Sequence, residues 1–391
     1  MANLNKHGSR IPGLDGLRAI SICFVFSAHL TGTANFPKAL QPLSHLGELG
    51  VHSFFVISGF LITSLLLKEQ QKTGGISLMN FYQRRIFRIL PALYAYIGSI
   101  SLLAAAGVVT LLPHDLLYAN TYSINYHWPR SWYLGHLWSL SVEEQFYFLW
   151  PAVLCLTGQK RAFKIALGVV AIAPLSRMGM WYLAPSMRMN MDCHFQSVAD
   201  ALAIGCLLAG VRPTLAGWQP YQRFLRSPVF LLVPITLLAT QTIVDHPRIY
   251  YSLGASIEIL CVALCIDRCV TICMGAIGRI LESRILGYIG VLSYSLYLWQ
   301  QPFLNRGSSS IYTSFPMNIV LAVAAALASY YLVEKPFLRF KDRFYATEQS
   351  RNHRQTGAAT RADYEHLRPL VLPSEAMTTA EELSIAIPES A

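Results

Sequence analysis

Charge is what this sequence has least of. Only 13% of its 391 residues are Asp, Glu, Lys or Arg, against about 25% in soluble globular proteins. With 53% hydrophobic residues and a mean hydropathy of +0.39, that shortage excludes an ordinary water-soluble enzyme. A small-residue cleavage site is lacking too. The N-terminus is short, polar and basic (Lys6, Arg10) and runs straight into the first apolar stretch, which argues against a cleaved leader. No secreted-type disulfide framework is visible, because most of the eight cysteines lie in apolar runs, where a thiol behaves as a small hydrophobe. Cys261, Cys265, Cys269 and Cys273 recur at i, i+4. Successive thiols at that spacing drift about 40° around a helix, and no His accompanies them, so no metal site is expected. There is no soluble catalytic domain and no internal repeat, and the second absence weighs against an inverted-repeat transporter. The net charge of +10 does not signal nucleic acid. The Lys and Arg residues sit in alternate loops, which is a topology signal, so no nucleic-acid partner is expected.

What is present is a series of apolar runs of membrane-crossing length. We read an all-α polytopic membrane protein of about ten transmembrane helices, near 14–32, 49–67, 90–112, 136–157, 163–183, 195–211, 228–245, 250–273, 286–304 and 316–338. One set of loops holds Lys68, Lys72, Arg84, Arg85 and Arg88; Lys160, Arg161 and Lys164; Arg212, Arg223 and Arg226; and Arg268, Arg279 and Arg284. The opposite set holds only Lys38, Arg130, Arg188, Arg248 and Arg306. The positive-inside rule then places both termini in the cytoplasm. The expected organisation is a short cytoplasmic N-terminus (1–10), a membrane domain (11–345) and a polar, disordered cytoplasmic tail (346–391), with Arg339, Lys341 and Arg343 resting on lipid head groups.

Four clusters carry chemistry. Arg18 and His29 both lie in the first span, where an ionisable group costs roughly 2.5 to 3.5 kcal/mol. Eleven residues apart, they share one helix face about 16 Å apart along the axis. Asp15 is placed to pair with Arg18 at i, i+3, and a neutral His29 suits a general base towards a hydroxyl. The second cluster runs from Gly50 to Leu61. Gly59 there fits either tight helix packing or a ligand's close approach, while His52 reads as structural rather than catalytic. Third, Arg85 and Arg88 stand at i, i+3 before Pro91, which fits a helix's first turn. Two readings are open: a phosphate-binding fork pair or a positive-inside anchor. In the fourth, His136, Glu143 and Tyr147 share a helix face, Trp138 and Ser139 lie between, and Glu144 turns about 100° away. Glu143 is the carboxylate better placed to meet His136 or another polar group, and Glu144 suits a solvated interfacial position.

In this order the clusters resemble the acyltransferase-3 family of bacterial integral-membrane acyltransferases, which includes O-antigen acetylases. The matching stretches are Arg18 with His29; Phe54 to Leu61; Arg85, Arg88 and Pro91; Trp138 to Tyr147; Asp200 with Gly205; Ser293 to Trp299; and Glu334 to Phe337. The likeness runs from about Pro12 to Arg343. Where the family often has His after Tyr-Leu-Trp, this chain has Gln300, read as a hydrogen-bonding replacement. The resemblance implies transfer of an acyl group, commonly acetyl, from cytoplasmic acyl-CoA to a sugar hydroxyl of a surface or secreted glycan, in the bacterial cytoplasmic (inner) membrane.

Arg85, Arg88 and Arg18 would then bind acyl-CoA, a co-substrate with no tightly bound cofactor beside it. His29 would be the base and Glu143 its orienter or charge partner, with Asp15, Gly59, His136, Trp138, Ser139, Glu144, Tyr147 and Asp200 in support. Partners would be membrane lipids, acyl-CoA and a carbohydrate acceptor such as lipopolysaccharide or exopolysaccharide; the sequence fixes no oligomeric state. The rival class is a transporter or flippase for a polyanionic or lipid-linked substrate, which would also want membrane-depth charges.

Overall fold

The structure, a computed structural model, describes Ile11, residues 13–272 and residues 275–344, apart from the side chain of Ala276. The expectations for residues 1–10, for residues 346–391 and for Cys273 lie outside the described residues. Contacts divide the chain into Met1–Leu338 and Arg339–Ala391. The packing described below belongs to the first unit; in the second, the described residues are helical to Phe344.

Each of the ten apolar runs carries helix, and no strand occurs among the described residues. The main helices are α1 (Leu14–Leu30), α2 (Leu46–Thr73), α3 (Leu78–Ala105), α4 (Leu137–Leu183), α5 (Phe195–Gly217), α6 (Leu232–Thr240), α7 (Ala255–Thr271), α8 (Arg284–Trp299) and α9 (Met317–Ser329), the last continued by a π turn, Tyr330–Glu334. Local chemistry sets their ends. α2 stops at Gly74, whose left-handed φ of 76° closes the last turn. The Ser77 side chain accepts from the Asn80 amide and starts α3, and Ser283 does the same for Leu286 at α8. α4 breaks at Gly158, with φ 74° and ψ 163°, in the gap expected between two apolar runs.

Among the described residues six helices are long and apolar enough to cross a membrane, or seven if the bent pair Gln219–Arg226 and Pro228–Ile243 forms one span. α1 and α8 are shorter, at 17 and 16 residues. One boundary differs from expectation in a way that matters. α3 begins at Leu78, so Arg85, Arg88 and Pro91 lie inside it and Pro91 is not in its first turn. The arginines depress hydropathy over that stretch and hide a helix that the Ser77 cap has already started.

The most extensive packing joins α2 to α5, α5 to α4, and α1 to α8 and α2. α2 and α5 cross at two glycines. A Cβ on Gly59 would collide with the Leu202 carbonyl, and one on Gly205 with the Val56 carbonyl. Of its two readings Gly59 takes the packing one, since small residues let helix backbones approach closely.

Candidate active site

Two neighbouring cavities gather the polar side chains. The smaller, about 100 Å³, is lined by Arg18 from α1, Ser58 from α2, Arg85 and Arg88 from α3, Glu143 and Tyr147 from α4, and Ser293 from α8. Arg18 Nη2 donates to Ser293 Oγ at 2.9 Å. The Arg85 guanidinium lies 4.0 Å from the Tyr147 ring centroid, where the ring's negative face attracts a cation. Ser58 Oγ donates to Glu143 Oε1 at 2.8 Å. Among the described residues none of Arg18, Arg85 and Arg88 is in an ion pair, whereas Arg84 turns outward to Glu69 at 3.0 Å. The two open readings of the arginine run therefore divide between residues. Arg84 has the geometry of a surface anchor, and Arg85 and Arg88 line a cavity with spare N–H donors, the donor set that oxyanions need.

The larger cavity, about 430 Å³, is lined by His29, His52, His136, Trp132, Trp138 and Arg177 among others. His29 is the penultimate residue of α1; its Nδ1 is buried with no hydrogen-bond partner. Its ring stands edge-on to Trp132, with centroids 5.9 Å apart. Gln300 lies beside it, fully buried, with Nε2 donating to the Tyr297 carbonyl at 3.2 Å. Arg306 reaches in to donate to the Ala28 carbonyl at 2.5 Å and to Thr31 Oγ1 at 3.4 Å, capping the carbonyl end of α1 at the base of the His29 turn.

Val51 and Tyr297 line both cavities, so they form the wall between them. The Tyr297 hydroxyl is held by Ser139 Oγ at 2.5 Å and by the His136 carbonyl. Trp138 faces the larger cavity, 6.1 Å and perpendicular to Phe55, while Ser139 faces the smaller.

Several expected pairings are not made. No hydrogen bond or ion pair joins Glu143 to His29: Glu143 sits with Ser58 among the arginines, and His29 is in the other cavity. Glu143 does not meet His136 either. Seven residues on a helix are about 10.5 Å along the axis, too far for a direct contact even on one face. Both His136 ring nitrogens are buried without a partner, the ring packed against Tyr96 and Tyr297. Glu144 is not a solvated carboxylate, since its Oε1 is buried and unpartnered beside Tyr122 and Arg85. Asp15 lies at a separate cleft with Gly16 and Glu282.

Asp200 pairs with Arg177, Oδ2 to Nη1 at 2.8 Å, both buried. Arg177 also donates to the Ser197 and Tyr251 carbonyls and to Ser256 Oγ, tying α4 to α5 and α7. Sequence reasoning missed Arg177, although the criterion that singles out Arg18, an ionisable side chain within an apolar run, also finds it. The same holds for Glu258, which accepts from His52 at 2.7 Å. Ser58 and Ser293 lie in stretches that carry the family resemblance, but sequence reasoning gave neither a role.

With that geometry in view, similarity to known proteins can be placed. The acyltransferase-3 family model, described as an acyltransferase domain, matches residues 11–334. A Staphylococcus aureus (strain COL) protein, provisionally named an O-acetyltransferase, is 31% identical over 84% of this chain and 57% of its own length. The O-acetyltransferase OatA of Staphylococcus aureus (strain NCTC 8325) is 28% identical over 83% of this chain and 57% of its own. A Bacillus subtilis (strain 168) protein, provisionally named a peptidoglycan O-acetyltransferase, is 27% identical over 86% and 56%. The chain thus spans just over half the length of these relatives. No solved structure matches it significantly. The match covers both cavities and nearly every helix that builds them: the chain belongs to the acyltransferase-3 family.

Proposed function

We propose that this chain is an O-acyltransferase of the bacterial cytoplasmic membrane. It moves an acyl group, by preference acetyl, from cytoplasmic acyl-CoA to a hydroxyl of a surface or secreted glycan. The observation that carries the reading is the pair of cavities that share Val51 and Tyr297: one offers three guanidiniums outside any ion pair among the described residues, the other an imidazole with a buried, unpartnered nitrogen. In this reading ten spans put both termini in the cytoplasm. The arginine cavity then opens towards the side where CoA is made, and the His29 cavity towards the glycan. Arg18, Arg85 and Arg88 bind CoA phosphates, and the thioester reaches past Tyr297. His29 takes the hydroxyl proton as the oxygen attacks the thioester carbonyl; the C–S bond breaks, and the proton passes to the CoA thiolate. Glu143, held by Ser58, serves as a fixed counter-charge that keeps the arginines in place. The acceptor class is carbohydrate, and the name of the Bacillus subtilis relative puts peptidoglycan among the candidates.

The test is transfer itself. The full chain in lipid nanodiscs is given [14C]acetyl-CoA and glycan from the native host, with His29→Ala alongside. Label appearing in glycan as base-labile ester with wild type, and not with the variant, supports the reading. Wild-type protein that leaves acetyl-CoA untouched with every glycan offered sinks it and favours the transport alternative.

A further inference from the structure

The larger cavity holds a second imidazole that the reaction above does not use. His52, on α2, has Nδ1 2.7 Å from Glu258 Oε1 on α7. Glu258 is fully buried, and its other oxygen accepts from Gln241 Nε2 at 2.9 Å and from Tyr250 Oη at 3.0 Å. A carboxylate so held fixes the ring it meets: Nδ1 must carry a hydrogen, which leaves the Nε2 lone pair as an acceptor in the neutral ring. That Nε2 has no partner in the protein and is not buried. The side chain keeps 12% exposure and lines the same cavity as His29. Its neighbour Val51 lines both cavities, so His52 sits next to the wall between them. The contrast with His29 is chemical. His29 Nδ1 has no hydrogen-bond partner, whereas His52 is held in one orientation through its Nδ1 by Glu258.

We propose that His52, positioned by Glu258, is an acceptor-binding residue: its Nε2 accepts a hydrogen bond from a second hydroxyl of the polyol acceptor, so that the reacting hydroxyl is presented to His29. The inference rests on the acyl-transfer reading above and deepens it. It makes the acceptor a molecule with at least two hydroxyls within reach of one cavity, and it gives Glu258 the part of a positioning residue.

The experiment uses the full chain in inner-membrane vesicles, with [14C]acetyl-CoA as donor and the membranes' own glycan as acceptor, normalised to inserted protein. His52→Ala should slow glycan labelling about tenfold or more, the cost of leaving one substrate hydroxyl unmatched, with the apparent KM for acetyl-CoA within twofold of wild type. His52→Gln, which still offers an acceptor atom, should recover part of the rate, and Glu258→Gln should fall between. An unchanged labelling rate per inserted molecule, with less protein inserted, makes the network structural and overturns the proposal. So does a raised KM for acetyl-CoA, which would put His52 on the donor side, or a loss as complete as that of His29→Ala, which would make His52 the base. Wild-type vesicles that label no glycan at all fail the acyl-transfer reading itself, and this inference with it.

Discussion

The two cavities handle charge in opposite ways. The arginine cavity is lined by Arg18, Arg85, Arg88 and the carboxylate of Glu143, with Glu144 also beside Arg85 and no ion pair to any of the three arginines among the described residues. The histidine cavity holds a paired cation, Arg177 against Asp200, and a hydrogen-bonded couple, His52 with Glu258, beside two further carboxylates in its lining, Glu48 and Asp192. Charge within a low-dielectric bundle is costly unless matched. The first is rich in guanidinium donors and suits an anion; the second offers imidazole and carboxylate groups, which suit hydroxyls. Under the proposed function that difference suits a polyphosphate donor on one side and a hydroxyl-rich acceptor on the other.

The comparison can be broken at several points. The largest effect is expected from His29→Ala, which should cut transfer about 100-fold to 10,000-fold while acetyl-CoA still binds; equal loss of donor binding, read by equilibrium titration, would erase the division of labour. Next comes Arg177→Met, which strands Asp200 as a lone buried charge and should cost about 3 to 5 kcal/mol, seen as a lower melting temperature in detergent. Arg177→Met with Asp200→Leu should recover most of that loss, because the pair is removed together. Arg85→Ala with Arg88→Ala should raise the KM for acetyl-CoA about tenfold or more and cost less stability than Arg177→Met, since neither guanidinium is in an ion pair among the described residues. A melting temperature that falls as far as for Arg177→Met would mean that the arginine cavity is internally balanced after all. The smallest difference expected is between Glu143→Gln and Glu144→Gln. Transfer should fall several-fold for the first and less for the second, and the reverse order would move the counter-charge to Glu144.

Much of the arginine cavity is legible in the sequence because it depends on spacing along single helices. Arg85 and Arg88 at i, i+3 must share a face, and Glu143 and Tyr147 at i, i+4 must share another; both pairs do line one cavity. Inference failed where partners come from different helices. Glu143 meets Ser58, 85 positions away, and His52 meets Glu258, 206 positions away; no local pattern encodes either. It also failed where axial distance was neglected. Sharing a face does not bring His136 to Glu143 two turns on, nor does it put Arg18 and His29 in one site. The late start assigned to the third helix has a different root: a hydropathy window penalises the cationic residues that line the cavity.

The crossing of α2 and α5 has a consequence for genetics. Ser58, which holds Glu143, is the residue before Gly59, whose bare backbone rests on the Leu202 carbonyl. Any side chain at Gly59 or Gly205 must push these two helices apart and drag Ser58 off its carboxylate. Screens for inactive alleles will therefore return substitutions that touch neither donor nor acceptor, yet mimic damage to the donor pocket. Such alleles should be suppressible by shrinking residues across the crossing.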